Sequence, residues 1–287
     1  MKFRFIQEQR ETFPVGQLCH VLKVSRGGFY AWVRRPHSAR WQQNDALVKR
    51  IHLVHRENRG VYGSPRVYRA LRIAGIQAGR HRVARLMRLE GLRAKAAQRF
   101  RSISTPRSDF PAAPNLVQRN FTAEAPNRLW VADITQIRTR EGWIFLAVIV
   151  DVFSRRVVGW STADRISHSL ALQALRNALR ARRPAPGLVH HSDRGSQYSG
   201  AEYQDLLDRH GIRCSMSRAR NCWDNALAES FFHTIKTEWL YHFIFDSRAQ
   251  ARSYVFDYIE GFYNRTRLHS SLGFRSPIDY ETVVIAA

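Results

Sequence analysis

At Leu129 the hydrophobic period of the chain changes. Upstream, apolar residues recur at helical intervals; in LWVADITQI they alternate, with Leu129, Val131, Asp133 and Thr135 on one side and Trp130, Ala132 and Ile134 on the other. A chain that switches period builds two kinds of structure, and residues 96–126, rich in Pro, Ser and Arg and without period, separate them. The expected division is a helical region over 1–95, a linker over 96–126, a strand-and-helix region over 127–243 and a helical tail over 244–287. After LWVADITQI, RTREG predicts a turn, WIFLAVIVD a buried strand and SRRVVGWST a third strand. A helix (SHSLALQALRNALRARR), a short strand (GLVHHSD), a second helix, a strand (IRCSM) and a long helix over 224–241 follow. Three antiparallel strands and then alternating helices and strands predict an α/β fold, a mixed sheet with helices on its faces.

In the helical region, VGQLCHVLKVSRGGFYAWVRR has helix-turn-helix spacing, with Ser25 as N-cap and Leu18, Val21, Leu22, Tyr30 and Trp32 expected inward. Further on, GRHRVARLMRLEGL sets Val83, Leu86, Met87 and Leu89 near one side and Arg80, Arg82, Arg85 and Arg88 largely elsewhere. An arginine-studded helix after a helix-turn is a candidate for lying along DNA; the plainer reading is a solvated face. Charge favours DNA. Lys+Arg number 46 against 23 Asp+Glu, and residues 1–110 hold 24 of the basic and 6 of the acidic residues, so the partner is a polyanion and binding is concentrated in the first part. No apolar run approaches a membrane span and no secretory signal opens the chain, so a cytoplasmic location and no membrane partner are expected. Cys19, Cys214 and Cys222 share no CxxC spacing; they are expected to be core thiols.

Three carboxylates stand out. Asp133 lies mid-strand in apolar surroundings, costly unless it is paired or holds a metal. Asp193, in HHSDRGSQY, ends a strand, and Glu229 opens the helix begun by CWDNALAESFF. Spacing alone discriminates little, because Asp224 and Glu260 have the same separation as Asp193 and Glu229; context sets them apart, with Asp224 expected as a helix N-cap. Oxygen ligands on two strands and a facing helix suit hard cations such as Mg²⁺, and two ions about 4 Å apart can serve phosphodiester displacement. Arg194, His190, His191 and Gln197 are available beside Asp193 to orient a phosphate or support the carboxylate. Each carboxylate also has a milder reading: a hairpin bond for Asp133, an Asx turn for Asp193, a pair with His233 for Glu229.

WVADIT, HHSDRGSQY and NCWDNALAESFFHTIKTE resemble the three blocks of the integrase-core transposases of bacterial insertion sequences, specifically the second-frame product. YGSPRVYRAL…RVARLMRLEGL and YNRTRLHSSLGFRSP are similar to the same family, so the likeness covers nearly the whole chain. It implies an RNase H-like catalytic core preceded by an all-α helix-turn-helix-like region, with Asp133, Asp193 and Glu229 as an Asp-Asp-Glu triad holding two Mg²⁺ or Mn²⁺ ions. It singles out Lys236, two turns after Glu229, as a phosphate contact, and leaves Asp151 a structural role. The implied activity is cleavage at the element's ends and strand transfer into target DNA. The implied partners are element-end and target DNA, a first-frame helix-turn-helix protein or a frameshift fusion with it, and further copies of the chain on paired ends.

The tail residues Tyr263, Asn264, Arg267 and His269 resemble the family's terminal motif, for which packing and DNA contact are the expected roles. One departure is Arg220, where the family has Gly; were a positive φ needed there, Arg would cost roughly 1 kcal/mol. Two other readings stand beside the transposase. A plain RNase H-like nuclease would cleave without joining, and an inactive copy would act only as a DNA-binding protein.

Overall fold

The computed structural model describes residues 1–34, 38–95, 113–218 and 222–285, with backbone alone at 222 and 223. Arg220 and most of the expected linker therefore lie outside the described residues.

The chain opens with three short helices, α1 (Lys2–Gln9), α2 (Val15–Val21) and α3 (Arg26–Arg34). Ser25 caps α3 as expected, its Oγ accepting the Gly28 N–H at 2.9 Å. The buried side chains are Ile6, Cys19 and Phe29, with Leu18 and Leu22 packed against them. Val21, Tyr30 and Trp32, expected inward, are exposed instead. The reason is α1, which the period did not reveal: Ile6 covers Cys19 and Phe29, Val21 is left outward, and Tyr30 and Trp32 keep only the side that meets the Phe29 ring covered.

A second helical unit follows, α4 (Ala39–Glu57), α5 (Ser64–Ile73) and α6 (Arg80–Leu89). Ser38 caps α4 through the Trp41 N–H at 3.2 Å, and Pro65 opens α5 where its missing N–H costs nothing. Leu47, Ile51, Val67, Leu71, Val83, Leu86 and Met87 are buried in one cluster that continues into the sheet and the tail. Leu89, expected with them, is 69% exposed. Tyr62 joins the unit to the tail: its hydroxyl donates to the Thr266 carbonyl at 3.1 Å and accepts the Leu268 N–H at 2.8 Å.

The sheet holds β1 (Leu129–Thr139), β2 (Gly142–Asp151), β3 (Val157–Ala163), β4 (Val189–Ser192) and β5 (Arg213–Met216) in the order β3-β2-β1-β4-β5. The β1–β2 and β2–β3 pairs are antiparallel, and β1–β4 and β4–β5 parallel, as the mixed sheet of an RNase H-like fold requires. Alternation divides the residues between two faces. Trp130, Ala132, Ala147, Ile149 and Val158 pack under α7 (His168–Arg182), with α8 (Ser196–Ser199) and α9 (Ala201–Arg209) beside it. Gly159 lets α7 approach, since a Cβ there would run into the Ala174 carbonyl. Leu129, Val131, Leu146, Val148 and Val150 lie on the opposite face, against α10 (Ala226–Glu238) and α11 (Arg248–Phe256). After α11 the helix widens to π geometry over Asp257–Tyr263, and α12 (Pro277–Ile285) closes the tail. The long helix expected over 224–241 is shorter: a 3-10 turn (Cys222–Asn225) precedes it, and another (Leu240–His242) follows it. Among the described residues no helix is long and apolar enough to cross a membrane.

Candidate active site

Asp133 shares the sheet face of Leu129 and Val131, the face covered by α10. In the parallel β1–β4 pair, Leu129 stands beside Val189 and Val131 beside His191. Carried two residues on, that register sets Asp193, one residue past the end of β4, beside Asp133. Glu229 lies in the first turn of α10, over the same face, with its side chain exposed. Asn225 ties the start of α10 to β1, its side-chain N–H donating to the Ala132 carbonyl at 3.2 Å, one residue from Asp133.

The electrostatics follow from this convergence. The Asp133 carboxyl is raised well above the ordinary carboxylate range, first by burial, then by Asp193 and by Glu229; the Ile134 N–H bond at 2.8 Å and Lys236 only partly oppose this. Burial also raises Asp193, whose Oδ1 accepts the Gly195 N–H at 3.0 Å, and partial burial raises Glu229. A Cβ at Gly195 would fall on the amide of buried Gln197, which would have to move to admit one. Lys236 is buried rather than exposed; burial lowers its ammonium to about 8 while Asp133 pulls it up. Among the described residues no three His, Cys, Asp or Glu side chains are gathered into a ready metal-binding group. The donor set nonetheless fits a hard divalent cation: all oxygen, two of the three on adjacent strands, with negative charge that Lys236 only partly offsets.

The neighbours of Asp193 divide by face. His190 points to the other side of the sheet, fully buried against Tyr198 and Tyr203, and burial lowers its imidazole to about 3; it is neutral and packed away from any DNA. His191 holds the route into α10: its Nδ1 is 2.8 Å from Ser215 Oγ and its Nε2 is 2.8 Å from the Asp224 carbonyl oxygen. Arg194 is exposed, with its Nε donating to the Ser217 carbonyl at 2.8 Å.

Asp224 is a structural hub and not the expected cap of α10. Its fully buried carboxylate accepts from Arg218 Nε at 2.9 Å and Nη2 at 3.0 Å, from Arg119 Nε at 3.2 Å and from Asn115 Nδ2 at 2.9 Å. The side-chain bonds from Arg218 hold its carboxyl far below the usual range. Arg218 and Asp224 thus clamp the chain on both sides of residues 219–221. Asp151 has a structural role, accepting the Asn127 and Phe153 N–H groups and the Trp130 indole N–H. Glu260, the other half of the spacing decoy, accepts the Trp160 indole N–H at 2.9 Å.

The far end of α10 carries a feature the sequence reading missed. Glu238 takes both Arg267 Nε (2.7 Å) and Nη2 (2.6 Å), the Tyr258 hydroxyl (2.7 Å) and Arg66 Nη1 of α5 (3.3 Å). An acid in the last turn opposes the helix dipole, a sequence signal that cations must meet it. The terminal motif is accounted for by packing: Asn264 bonds both the N–H and the carbonyl of Val157, Tyr263 lies edge-on to Phe231 of α10, and His269 contacts Tyr263 and Arg267. All four tail residues are buried, so none forms a DNA-facing surface. In α6, Arg80, Arg85 and Arg88 are exposed, whereas half-buried Arg82 donates through Nε to Asn44 of α4 at 2.9 Å.

Models of the integrase core domain match residues 123–222 and 210–277, and a model of an HTH-like domain matches residues 42–100. The chain is 44% identical over 260 residues to the insertion element IS600 uncharacterized 31 kDa protein of Shigella sonnei, covering 91% of this chain and 96% of that one. It is 40% identical over 288 residues to the transposase InsF for insertion sequence IS3A of Escherichia coli (strain K12), across the full length of both. A simian T-cell lymphotropic virus intasome in complex with a PP2A regulatory subunit is 19% identical at a TM-score of 0.47, over 74% of this chain and 69% of that chain. The HTLV-2 integrase catalytic core domain in complex with magnesium is 18% identical at a TM-score of 0.42, over 55% and 98%.

Proposed function

As a member of the integrase-core transposases of bacterial insertion sequences, the chain moves a DNA element, and we propose that it does so as an Asp-Asp-Glu polynucleotidyl transferase through Asp133, Asp193 and Glu229. The observation that supports this reading most directly is the convergence of three carboxylates, Asp193 beside Asp133 by the β1–β4 register and Glu229 over the same face on α10, with Lys236 as the opposing charge at Asp133. A polar cluster built only for the fold would be balanced by cations, as Glu238 is.

Asp133, Asp193 and Glu229 would hold Mg²⁺ or Mn²⁺, two ions in the full site. Bound divalent ions supply Lewis-acid stabilisation of charge on the attacking and leaving oxygens of a phosphodiester. The chain's own residues do the rest. The β1–β4 register sets Asp193, just past the end of β4, beside mid-strand Asp133, α10 carries the glutamate over the same face, and Asn225 and His191 hold the start of that helix. Lys236 supplies a cation to a phosphate held over Asp133. Arg194 and the exposed Arg80, Arg85 and Arg88 give phosphate contacts further out, while Arg82 orders α6 against α4. Water and then the freed 3′-hydroxyl attack phosphorus in turn, each exchange replacing one P–O bond by another, so no covalent protein–DNA link is required. The proposal extends to further copies on paired ends and to fusion with a first-frame helix-turn-helix protein; the family resemblance supports both.

The test is strand transfer of a labelled element-end duplex with Mg²⁺ or Mn²⁺, comparing the wild type with Glu229→Gln. Joined products from the wild type and none from the variant are expected. Undiminished joining by Glu229→Gln would remove Glu229 from the triad.

A further inference from the structure

We infer that α3 is a DNA-reading helix in its own right, laying Arg26, Tyr30, Val33 and Arg34 into the major groove at the element's end. The inference rests on the transposase reading only for the identity of that DNA.

The geometry is local. Helix α2 ends at Val21, a short turn reaches Ser25, and Ser25 caps α3 through the Gly28 N–H. Two short helices joined in this way present the second to the groove. On a helix of 3.6 residues per turn, positions 26, 30, 33 and 34 lie on one side. Phe29 flanks this row next to Val33, buried against Ile6 and Cys19 with its ring edge-on to Tyr30, so the row borders the core on that flank and is open on the other. Tyr30 is 41% exposed and Val33 is 40% exposed, and both guanidinium-bearing residues at the ends of the row are exposed. Gly27 lies beside this row, and nothing comes within 4 Å of the place its Cβ would take, so a partner can approach the backbone closely.

Exposed aromatic and aliphatic surface on so short a helix needs a cover. Charge decides which. Residues 15–34 contain Lys23, Arg26 and Arg34 and no Asp or Glu, and residues 1–34 carry six Lys and Arg against two Glu. A second copy would bring like charge to this face, whereas DNA brings phosphates to the helix ends. Its groove also offers thymine methyls to Val33 and Tyr30 and guanine acceptors to the arginines.

The site is separate from the matched HTH-like region, which begins at residue 42 and shares its core with the sheet and the tail. Residues 1–34 have their own core of Ile6, Cys19 and Phe29. The chain would therefore hold its end with two helices, α3 reading bases and α6 contacting phosphates.

The experiment uses the full chain with two labelled duplexes of equal length, the element's terminal repeat and a scrambled version. Binding is measured together with hydroxyl-radical footprints. Arg26→Ala and Tyr30→Ala are compared with Arg85→Ala on α6, and thermal unfolding verifies that each variant folds. Arg26→Ala is expected to weaken binding to the terminal duplex about 5- to 150-fold, to change binding to the scrambled duplex far less, and to erase one protected groove segment. Arg26→Lys, which keeps charge but not the two-pronged geometry, should show the same loss of preference. Arg85→Ala should weaken both duplexes alike. Unchanged affinity and footprint in folded Arg26→Ala and Tyr30→Ala would overturn the inference. So would a wild-type chain without preference for the terminal duplex, or α3 variants that lose self-association while keeping DNA affinity.

Discussion

Helix α10 carries a glutamate in its first turn and another in its last. Glu229 lies over the face that holds Asp133 and Asp193; burial raises all three carboxyls, and at Asp133 the charges of Asp193 and Glu229 add to it against Lys236. Glu238 is met by Arg267, Arg66 and Tyr258, and its carboxyl is held below the usual range even though burial works the other way. Within one helix, a carboxylate whose partners are already present serves the fold, and carboxylates left short of partners are kept for a ligand. Arg59 and Lys95 add to the saturated end, lying 4.6 Å and 4.9 Å from the centre of the Trp239 ring. The helical unit 38–95 thus grips the end of α10 farthest from the carboxylates.

The contrast breaks most sharply at Asp133. Asp133→Asn removes charge from the unbalanced end, and strand transfer should fall at least about ten-thousandfold, while the apparent Tm measured without divalent ions should hold or rise. The same substitution should abolish any rise in Tm on adding Mg²⁺. A destabilised Asp133→Asn chain would show that this carboxylate serves the fold after all. At the saturated end the signs reverse. Arg267→Met leaves Glu238 buried without its two-pronged partner and should cost about 3–5 kcal/mol in denaturant unfolding. A loss under about 1 kcal/mol would mean that Arg66 and Tyr258 suffice.

Acid sharpens the comparison at intermediate size. His269, beside Arg267, is lowered by burial and by that guanidinium to about 2, and His190 is lowered to about 3. Both are neutral in the fold and would be protonated in the unfolded chain below about pH 6.5. The stability they contribute is full above that pH and is lost as pH falls toward their folded values, by about 1.4 kcal/mol per pH unit for each. Asp133 has the opposite sign, since a raised carboxyl favours the fold as pH falls. Stability curves from pH 7 to 4 should therefore steepen in Asp133→Asn and flatten in His269→Gln. Parallel curves for the three proteins would count against both assignments.

How much of this was legible in the sequence depends on the range of the forces involved. Alternation in LWVADITQI placed Asp133 on the face opposite Trp130, and the succession of strands along the chain, though not their order in the sheet, followed from the same period. The Ser25 cap was legible because capping is decided within three residues. In residues 1–34 the two helices and the inward Leu18 and Leu22 were legible, but the outward Val21, Tyr30 and Trp32 were not, because Ile6 of α1, outside that stretch, helps decide which side of α2 and α3 is buried. Asp224 looked like a cap from its neighbours alone, yet Arg119 and Asn115, more than a hundred residues earlier, meet its carboxylate. The partners of Glu238 come from α5 and the tail, and only the unfavourable position of an acid at a helix C-terminus hinted at them.

Lys236 gives the finest test, because it lies in the last turn of α10 with Glu238 and yet is a cation that acts on Asp133, in the proposed catalytic group. With an ammonium lowered to about 8, it is mostly charged at neutral pH and mostly uncharged about one unit above that value. A lysine that holds phosphate loses that grip with its proton, so strand transfer should fall about tenfold between roughly pH 7 and pH 9. Lys236→Arg keeps its charge throughout, because a guanidinium does not titrate in that range. Its rate at neutral pH should change by only a few fold and its alkaline limb should be flat. If the two proteins lose activity in parallel above pH 8, the limb belongs to another group and Lys236 acts through packing against the sheet. If the limb flattens while end-binding affinity stays the same, the ammonium acts at the reacting phosphate and belongs with the carboxylates.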